Sequence, residues 1–441
     1  MPTPTNGDPP LRAGRRPGYA TAPESVVGRR GARTRNKIKA HAADLIIVNG
    51  YHATSVEAIA KAMGRSRATI YQYFTSKEDI YAELVRECEA AVLTHARTLT
   101  ALGPHAHGLH NLRRWLYEWA DIYDRYAVVL LEFPGIGTFE SLPVTDAGPV
   151  ARQFRALITD HLTGIGIEGL DPTDAASVLM RISHMVNLYR YRAMFDLPSR
   201  TATSDALAIA LQLMLFPDTP TAVIGAGQAP PVKRLPHAGI AEPGQSSVSA
   251  EGDDWPARED VLSVSSTLFA ELGYYSVSMD DIASAAGISR ATLYRYFNSK
   301  TKVLAELTNS AISHSSRLAA ELSALAELSH ATASLETWMR RYVTFHRTYS
   351  GVIRAWFDGA VAEQLSSEEL RAGIEQMSAA ATAVLDGAAL PGDMDRRAAT
   401  AIFMAVLGRM TESSSPHDDV DRTAALMVRL LQRSLLRSHA D

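Results

Sequence analysis

Side chains that can recognise a nucleic acid recur within seven residues of one another at two places in the chain. The two groups are Arg67, Thr69, Gln72 and Tyr73, and, 223 positions later, Arg290, Thr292, Arg295 and Tyr296. Guanidinium, amide and hydroxyl groups hydrogen-bond to phosphate oxygens and to base edges in the major groove of DNA. If a helix presents them to solvent, their chemistry is recognition rather than the making or breaking of bonds.

Both groups lie inside a longer segment that the chain contains twice. Residues 50–77 and 273–300 align without gaps, and 16 of the 28 aligned positions are identical. The same offset relates apolar residues on either side: Ile38, Leu45, Ile46, Trp115, Trp119 and Tyr126 match Val261, Leu268, Phe269, Trp338, Tyr342 and Tyr349. A register kept over nearly 90 residues indicates that a whole folding unit is duplicated.

The duplicated segment has the pattern of two short helices joined by a tight turn. Thr54 or Ser55 can cap the first helix, and Gly64 can adopt the left-handed conformation that ends it. Ser66 can cap the second helix, which we expect to span residues 67–74 with a free polar face. A helix-turn-helix of this kind places its second helix in the major groove, whereas an ordinary αα-hairpin would be core structure.

Composition favours a helical protein of several domains. The 441 residues are 46% hydrophobic and 21% charged, with a net charge of −4. No apolar run reaches the roughly 18 residues of a membrane span, and the N-terminus lacks the apolar stretch of a signal peptide. The single cysteine, Cys88, excludes an intrachain disulfide and fits a cytoplasmic protein. We therefore expect an all-α fold, a cytoplasmic location and no membrane partner.

Two Pro- and Gly-rich stretches divide the chain. The predicted order is a disordered basic arm (1–33), a first helix-turn-helix domain (34–80), a first helical body (81–216), a linker (217–252), a second helix-turn-helix domain (253–303) and a second body (304–441). Each body ends in two strongly apolar segments.

The two copies differ in charge. Residues 29–90 contain eleven Lys or Arg against seven Asp or Glu, whereas residues 251–310 contain five against nine. A basic lead-in to the first copy could follow DNA phosphates or a minor groove, or be a solvated tail; it comprises Arg29, Arg30, Arg33, Arg35, Lys37 and Lys39. Acidic residues precede the second copy, so we expect the first copy to bind DNA more strongly.

Residues 62–78 and 285–300 closely resemble the signature of TetR-family transcriptional regulators. They read AMGRSRATIYQYFTSKE and AAGISRATLYRYFNSK. The resemblance implies, for each copy, a three-helix DNA-binding head on a larger helical body that binds a small ligand and dimerises through its last two helices. It also implies ligand-controlled DNA binding, most often repression, and no enzymatic activity.

Carried over residue by residue, the resemblance marks contacts on both heads. Base or nearby phosphate contacts are assigned to Arg67, Thr69, Gln72 and Tyr73, and to Arg290, Thr292, Arg295 and Tyr296. Phosphate anchors are assigned to Thr54, Tyr71 and Lys77, and to Tyr294 and Lys300. The remaining residues assigned to the DNA-binding face are Ser55, Arg65, Ser66, Ser278 and Ser289.

The chain departs from the family pattern in two places. Arg65 replaces the usual apolar residue of the turn, and Val277 replaces the expected threonine, which predicts that the second copy lacks one phosphate anchor. The copies also differ from each other, because Gln72 aligns with Arg295. Glutamine suits adenine and arginine suits guanine, so this difference predicts an operator with unequal halves if both residues reach bases.

Aromatic rows in the bodies are either core or the wall of a ligand pocket. The candidate pocket residues are Trp115, Trp119, Tyr123, Tyr126 and His184 in the first copy, and Trp338, Tyr342, Phe345 and Tyr349 in the second. A glycine-rich run at 164–169 matches a dinucleotide fingerprint only by letter, and we expect a loop there. His105, His107 and His110 have no carboxylate or thiolate arranged beside them, so we predict neither a metal nor a cofactor.

The expected partners are a double-stranded DNA operator and a small-molecule effector. One chain could place both heads on DNA as an intramolecular pseudo-dimer, or two chains could form a homodimer with four heads. Two other functions remain open at this point. Only the first head binds DNA while the second unit serves as a dimerisation or sensor module, or, more remotely, the 164–169 region belongs to a nucleotide-binding enzyme.

Overall fold

The computed structural model describes residues 26–51, 53–131, 148–225, 255–274, 276–327, 332–356, 367–411 and 419–437. All regular elements in these ranges are helices, so the all-α prediction is confirmed. None of these helices is both long enough and apolar enough to cross a membrane.

The helices of the first copy and its connection to the second are these: α1 (Val26–Asn49), α2 (Val56–Ala62), α3 (Arg67–Tyr71), α4 (Lys77–Ala96), α5 (Ala106–Arg125), α6 (Ala127–Leu130), α7 (Gly148–Thr163), α8 (Pro172–Tyr191), a 3₁₀ turn (Met194–Asp196), α9 (Arg200–Leu215) and α10 (Thr221–Ile224). Those of the second copy are α11 (Trp255–Leu272), α12 (Met279–Ala285), α13 (Arg290–Tyr296), α14 (Lys300–Glu327), α15 (Thr332–Thr348), α16 (Ser350–Trp356), α17 (Ser367–Asp386), α18 (Arg396–Arg409) and α19 (Val420–Ser434).

Contacts between helices divide the chain into two compact units. The first contains α1, α2, α3, α4 as far as Ala90, and α6, and the second contains the rest of the described chain. The starts of α2, α3 and α4 recur 223 positions later as the starts of α12, α13 and α14. The duplication seen in the sequence therefore includes the head and the start of the helix that follows it.

The last two helices of each copy pack together within the second unit. Helices α8 and α9 of the first copy lie against α18 and α19 of the second. Polar contacts join the copies at the edges of this bundle, where Arg422 pairs with Asp174 at 2.8 Å and Arg433 donates to the Glu168 carbonyl at 2.8 Å. Buried alanine, leucine and methionine side chains fill its centre, so apolar burial holds the two copies together.

Two predicted boundaries require correction. Helix α1 already begins at Val26, so residues 26–33 do not belong to a disordered arm; residues 1–25 lie outside the described part of the chain. The predicted linker starts as packed structure, because Thr219 is buried and accepts a hydrogen bond from Gln212 at 3.0 Å. Helix α10 follows it, and residues 226–252 of the linker again lie outside the described residues.

Candidate nucleic-acid interface and ligand cavity

Side-chain caps and one left-handed glycine fix the turn between α2 and α3. The Ser55 hydroxyl accepts from the backbone N–H of Ala58 and so begins α2, which decides between the two predicted caps. Gly64 has φ +63°, a conformation that a side chain would strain. Ser66 accepts from the Thr69 N–H to begin α3, and their hydroxyls lie 3.2 Å apart. Ser289 and Thr292 repeat this arrangement at 2.8 Å in the second head.

The second head uses a fuller version of the same cap. Ser278 accepts from the N–H of Asp281, and the Asp281 carboxylate accepts from the Ser278 N–H at 2.8 Å. The Ser278 hydroxyl, which donates to the Asp281 carboxylate at 2.6 Å, and then the Ser278 N–H hold the pKa of Asp281 below its ordinary value. In both heads, the N-cap of the helix before the recognition helix (α2 and α12) is therefore a serine and not the residue before that serine.

Arginine and tyrosine project from the recognition helix of each head. Arg67 has a side chain 60% exposed, and Tyr71 is 54% exposed. Their equivalents Arg290 and Tyr294 are 64% and 42% exposed.

Each recognition arginine lies near one acid on the preceding helix. Arg67 Nη1 is 3.5 Å from Glu57, and Arg290 Nη1 is 3.1 Å from Asp280, which occupies the same position of the second copy. Exposed pairs of this kind contribute about 0–1 kcal/mol, so a phosphate or a guanine can displace the acid at little cost.

The rest of the predicted face divides into exposed and buried positions. Exposed residues are Ser55, Arg65, Ser66, Gln72, Ser278, Ser289 and Arg295, and half-buried ones are Thr69, Thr292 and Tyr296. Arg295 lies against Tyr296, with its Nη2 3.3 Å from the phenol oxygen. Tyr73 is only 6% exposed, which corrects the expectation that its side chain is free. Helix α3 ends at Tyr71 instead of continuing to residue 74, so Tyr73 turns toward the core.

Position 54 is buried in both copies, which argues against its predicted role as a phosphate anchor. Thr54 is 2% exposed, and its hydroxyl donates to the Gly50 carbonyl at 2.9 Å. The equivalent Val277 is 1% exposed and packs with Phe269 and Ile282. Valine at 277 therefore fills a core position of the second head.

In each head, the lysine that begins α4 or α14 donates to a backbone carbonyl in the turn before α2 or α12. Lys77 Nζ donates to the Tyr51 carbonyl at 2.7 Å and lies 4.2 Å above the centre of its ring. Lys300 repeats this with the Tyr274 carbonyl at 2.6 Å, and burial lowers the pKa of its amino group. Both lysines are half-buried, so the predicted phosphate anchors also close the turn that precedes α2 and α12.

Two residues of the basic lead-in form ion pairs within the first head. Lys39 is 6% exposed, with Nζ 3.1 Å from Glu83 and a second ion pair to Glu87. Arg35 pairs with Glu83 and donates to the Tyr73 carbonyl at 2.7 Å. These contacts remove Arg35 and Lys39 from the predicted groove-binding set, whereas Arg30, Arg33 and Lys37 are exposed.

The exposed charge around the recognition helix differs between the heads. The first head presents Lys61, Arg65 and Arg67, with Glu57 as the nearby acid. At the positions of Lys61 and Arg65 the second head has Ser284 and half-buried Ile288, and Asp281 joins Asp280 there. On the recognition helix the second head adds Arg295, and at the start of α14 exposed Lys302 replaces Asp79 of the first head. The more positive face of the first head is therefore confined to α2, the turn and α3.

Comparison with known proteins supports this geometry. The family model described as bacterial regulatory proteins, tetR family, matches residues 38–84 and 261–307. These ranges cover the helices of both heads and stop inside α4 and α14. The chain therefore contains the N-terminal domain of the TetR family twice.

Named relatives match over a single head. The Fatty acid metabolism regulator protein of Bacillus subtilis is 48% identical over 46 residues, which are 10% of this chain and 24% of the relative. The HTH-type transcriptional repressor KstR2 of Rhodococcus jostii is 42% identical over 50 residues, or 11% of this chain and 24% of the relative. The chain thus spans about a quarter of each of these relatives.

A solved structure of a TetR/AcrR-family transcriptional regulator from Thermobifida fusca is also similar. It covers 42% of this chain and 96% of its own, at 21% identity and a TM-score of 0.29.

Predicted pocket residues of the first copy pack against one another. Trp115 donates to the His95 carbonyl at 3.2 Å, and the His95 ring stacks on Trp115 at 4.5 Å. Trp119 and Tyr123 are also buried, and Tyr123 lies 5.6 Å from the His184 ring. Half-buried Tyr126 follows the end of α5 and precedes α6. These rings pack against one another as core residues of the first body.

A cavity of about 110 Å³ lies in the second unit instead. Of the predicted residues, Tyr342 and Phe345 line it, whereas Trp338, Tyr349 and His184 do not. Trp338 is a core residue that donates to the Leu318 carbonyl at 2.9 Å. Met185 and Tyr189 also line it, together with residues that sequence reasoning did not consider, among them His346, Met404, Gly408 and Arg409.

The two other patterns in the first body have structural roles. The glycine-rich run connects α7 to α8, and the carbonyls of Glu168 and Gly169 accept hydrogen bonds from Arg433 and Arg429. His105 accepts from the Gly108 N–H at 2.9 Å and caps α5. Within the described ranges, no three His, Cys, Asp or Glu side chains converge on a possible metal site.

Proposed function

We propose that the chain is a sequence-specific DNA-binding transcriptional regulator that places two unlike heads on one operator. The observation that carries this proposal is the pair of recognition helices, each with an exposed arginine and tyrosine at matching positions. Arg67 and Tyr71 on α3, and Arg290 and Tyr294 on α13, all project into solvent. Such residues at the start of a recognition helix suit contact with base edges and phosphates.

A single chain supplies both heads in this proposal. The α8–α9 and α18–α19 pairs of the two copies already pack together, and they bury the faces that a second chain would need. The protein should therefore have the mass of one chain, 47.9 kDa, in solution. A mass twice as large would favour the homodimer with four heads.

The operator should have unequal halves. Gln72 is exposed on the first head where the second head has Arg295. A bidentate contact to adenine or guanine contributes about 1–3 kcal/mol of discrimination, so each head should prefer its own half-site. The more positive face of the first head should make its half-site the stronger one, particularly at low salt.

Ligand control can reach the second head through α16. Ser350, Ile353 and Trp356 of this helix line the cavity. On its other side, Val352 and Ala355 belong to the core of the second head. A Cβ at Gly351 would lie 2.4 Å from the backbone of α11, so α16 and α11 are in direct contact. A ligand that displaces α16 would thus move the head and favour a form that no longer fits DNA.

We propose repression as the outcome of binding, because an operator occupied by two heads excludes other proteins from the same DNA. One relative matched over a head is itself named a transcriptional repressor.

The test is in vitro selection of DNA by the full-length chain, followed by affinity measurements on the selected site. Replacing Arg67 and Tyr71 together by alanine should abolish specific binding, and replacing Arg290 and Tyr294 should weaken it at the other half-site. Arg86→Ala, which removes an exposed charge from α4, is the matched control and should change affinity little.

Two results would redirect the proposal. Retained nanomolar affinity after loss of Arg67 and Tyr71 would contradict it. Unchanged affinity after loss of Arg290 and Tyr294 would mean that only the first head binds DNA and that the second unit is a sensor or dimerisation module.

A further inference from the structure

The acidic partner of the recognition arginine is present in both heads. Arg67 lies ten residues after Glu57, and Arg290 lies ten residues after Asp280. In each head the acid is the second residue of α2 or α12, and the arginine is the first residue of α3 or α13. The two acids differ in length, yet each carboxylate lies close to a guanidinium nitrogen, at 3.5 Å and 3.1 Å. The pairing is thus a property of the helix-turn-helix in both copies.

Other exposed positions of the same surface change between the heads, which makes the retained acid informative. The first head has Lys61, Arg65 and Gln72 where the second has Ser284, Ile288 and Arg295. An acid on a DNA-binding surface reduces the attraction for phosphates, so it weakens binding to DNA of any sequence. A carboxylate that both copies place beside the same arginine therefore needs a second role, and that role concerns the arginine.

The acid occupies one corner of the guanidinium group. Nη1 of Arg290 donates to Oδ2 of Asp280 at 3.1 Å. The ring centre of Tyr294 lies 5.5 Å from Cζ of Arg290, and a side-chain hydrogen bond with Tyr294, followed by the charge of Asp280, raises the pKa of Arg290. The five N–H groups of a guanidinium lie in one plane, so a partner at Nη1 fixes the direction in which Nε and Nη2 point together.

A phosphate and a guanine meet such a pair differently. The phosphate is an anion, so the carboxylate repels it, and the phosphate must displace the acid to use the arginine. The O6 and N7 atoms of guanine are uncharged acceptors that accept two N–H groups of one guanidinium. A guanine can therefore bind the Nε and Nη2 edge while the carboxylate keeps Nη1.

We propose that Asp280 and Glu57 are positioning residues that determine specificity: each directs the recognition arginine of its head toward a guanine in the major groove and away from a phosphate. This assignment rests on the DNA binding proposed above and names the base that each arginine reads. Asp280 lies closer to its arginine than Glu57 does. The second head should therefore discriminate more sharply at this base than the first head.

The test measures base preference rather than affinity alone. Arg290→Ala is assayed on the selected operator with each of the four bases at every position, and the position where it loses a preference for guanine is the one that Arg290 reads. Asp280→Asn should lose at least about fivefold of the guanine preference at that same position. Its affinity for an unrelated duplex should not fall, because the variant removes one negative charge.

Two variants separate positioning from charge. Asp280→Glu keeps the carboxylate, with the side chain that the first head has, and should keep the preference. Asp260→Asn is the matched control, because it removes an equal charge from the exposed surface of α11 in the same head and should leave base preference unchanged. The Asp280 variants should fold, since the capping bonds of α12 are formed by Ser278 and Asp281. Thermal unfolding checks each variant.

Two results would overturn the assignment while the proposed function stands. One is an undiminished guanine preference in Asp280→Asn. The other is an Arg290→Ala chain that binds every sequence more weakly by the same factor, because Arg290 would then be a phosphate contact. In both cases the chain still binds its operator. Failure of the full-length chain to select any operator would instead contradict the proposed function, and the assignment with it.

Discussion

Replacement of Thr54 by valine distinguishes a core position from a phosphate anchor. Thr54 is 2% exposed, and the second copy already has valine at this position, 1% exposed. The change removes one hydrogen bond to the Gly50 carbonyl, a net loss of about 0.5–1.5 kcal/mol. Burial of the new methyl group returns about 0.8 kcal/mol, and Gly50 is exposed, so its carbonyl can bind water. The free energy of unfolding should therefore change by less than about 1 kcal/mol.

DNA affinity is the decisive measurement for this variant. A hydroxyl bonded to a charged phosphate contributes about 1.5–3 kcal/mol, so loss of a true anchor would weaken binding roughly 10- to 150-fold. We expect Thr54→Val to bind the selected operator within about twofold of the parent chain in fluorescence anisotropy at fixed salt. Tyr71→Phe is the positive control, because it removes an exposed hydroxyl. A tenfold loss in a fully folded Thr54→Val chain would refute the reasoning.

The remaining predictions concern stability. Burial lowers the pKa of His95 to about 4, so the unfolded chain takes up the proton first as pH falls below 6.5, the ordinary pKa of histidine. The contribution of neutral, buried His95 to the free energy of unfolding is fully present above pH 6.5 and declines by about 2 kcal/mol by pH 5. His95→Leu should abolish this decline in denaturant titrations at pH 7 and pH 5, and Leu318 shows that leucine fits the equivalent position. Gly351→Ala forces a Cβ to within 2.4 Å of the α11 backbone and should destabilise the second unit by about 1–3 kcal/mol in thermal unfolding, whereas a neutral result would mean that α16 does not press on α11.

Local sequence signals determine the heads, which explains why the sequence predicts them well. The caps at Ser55 and Ser66 and the left-handed turn at Gly64 each depend on residues within four positions. The same signals recur in the second copy, at Ser278 and Ser289. Such signals act through backbone geometry that neighbouring residues set, so they can be read without knowledge of the tertiary fold.

Whether a side chain of the head is exposed, and which residues line the cavity, depend on contacts between residues far apart in the chain. A local sequence pattern does not contain those contacts. Tyr73 is buried because α3 stops early and Arg35, 38 positions away, donates to its carbonyl. One signal for position 54 was present, since valine at 277 fits an apolar core better than a phosphate contact. Nothing in the local pattern places Arg409 opposite Tyr189, whose hydroxyl reaches a carbonyl 215 positions later.

Fusion of two copies in one chain permits differences that a symmetric dimer would not tolerate. In a symmetric pair formed by the second copy alone, two Arg409 side chains would line the cavity where Arg409 and Met185 now meet. Two buried guanidinium groups facing one apolar space would repel each other strongly at low dielectric. When unlike copies pair, one arginine, Arg409, lines the cavity, and the equivalent position of the other copy is the thioether of Met185. Self-pairing of the second copy would thus place two arginines at one apolar cavity, and avoiding this favours the single-chain pseudo-dimer over the homodimer.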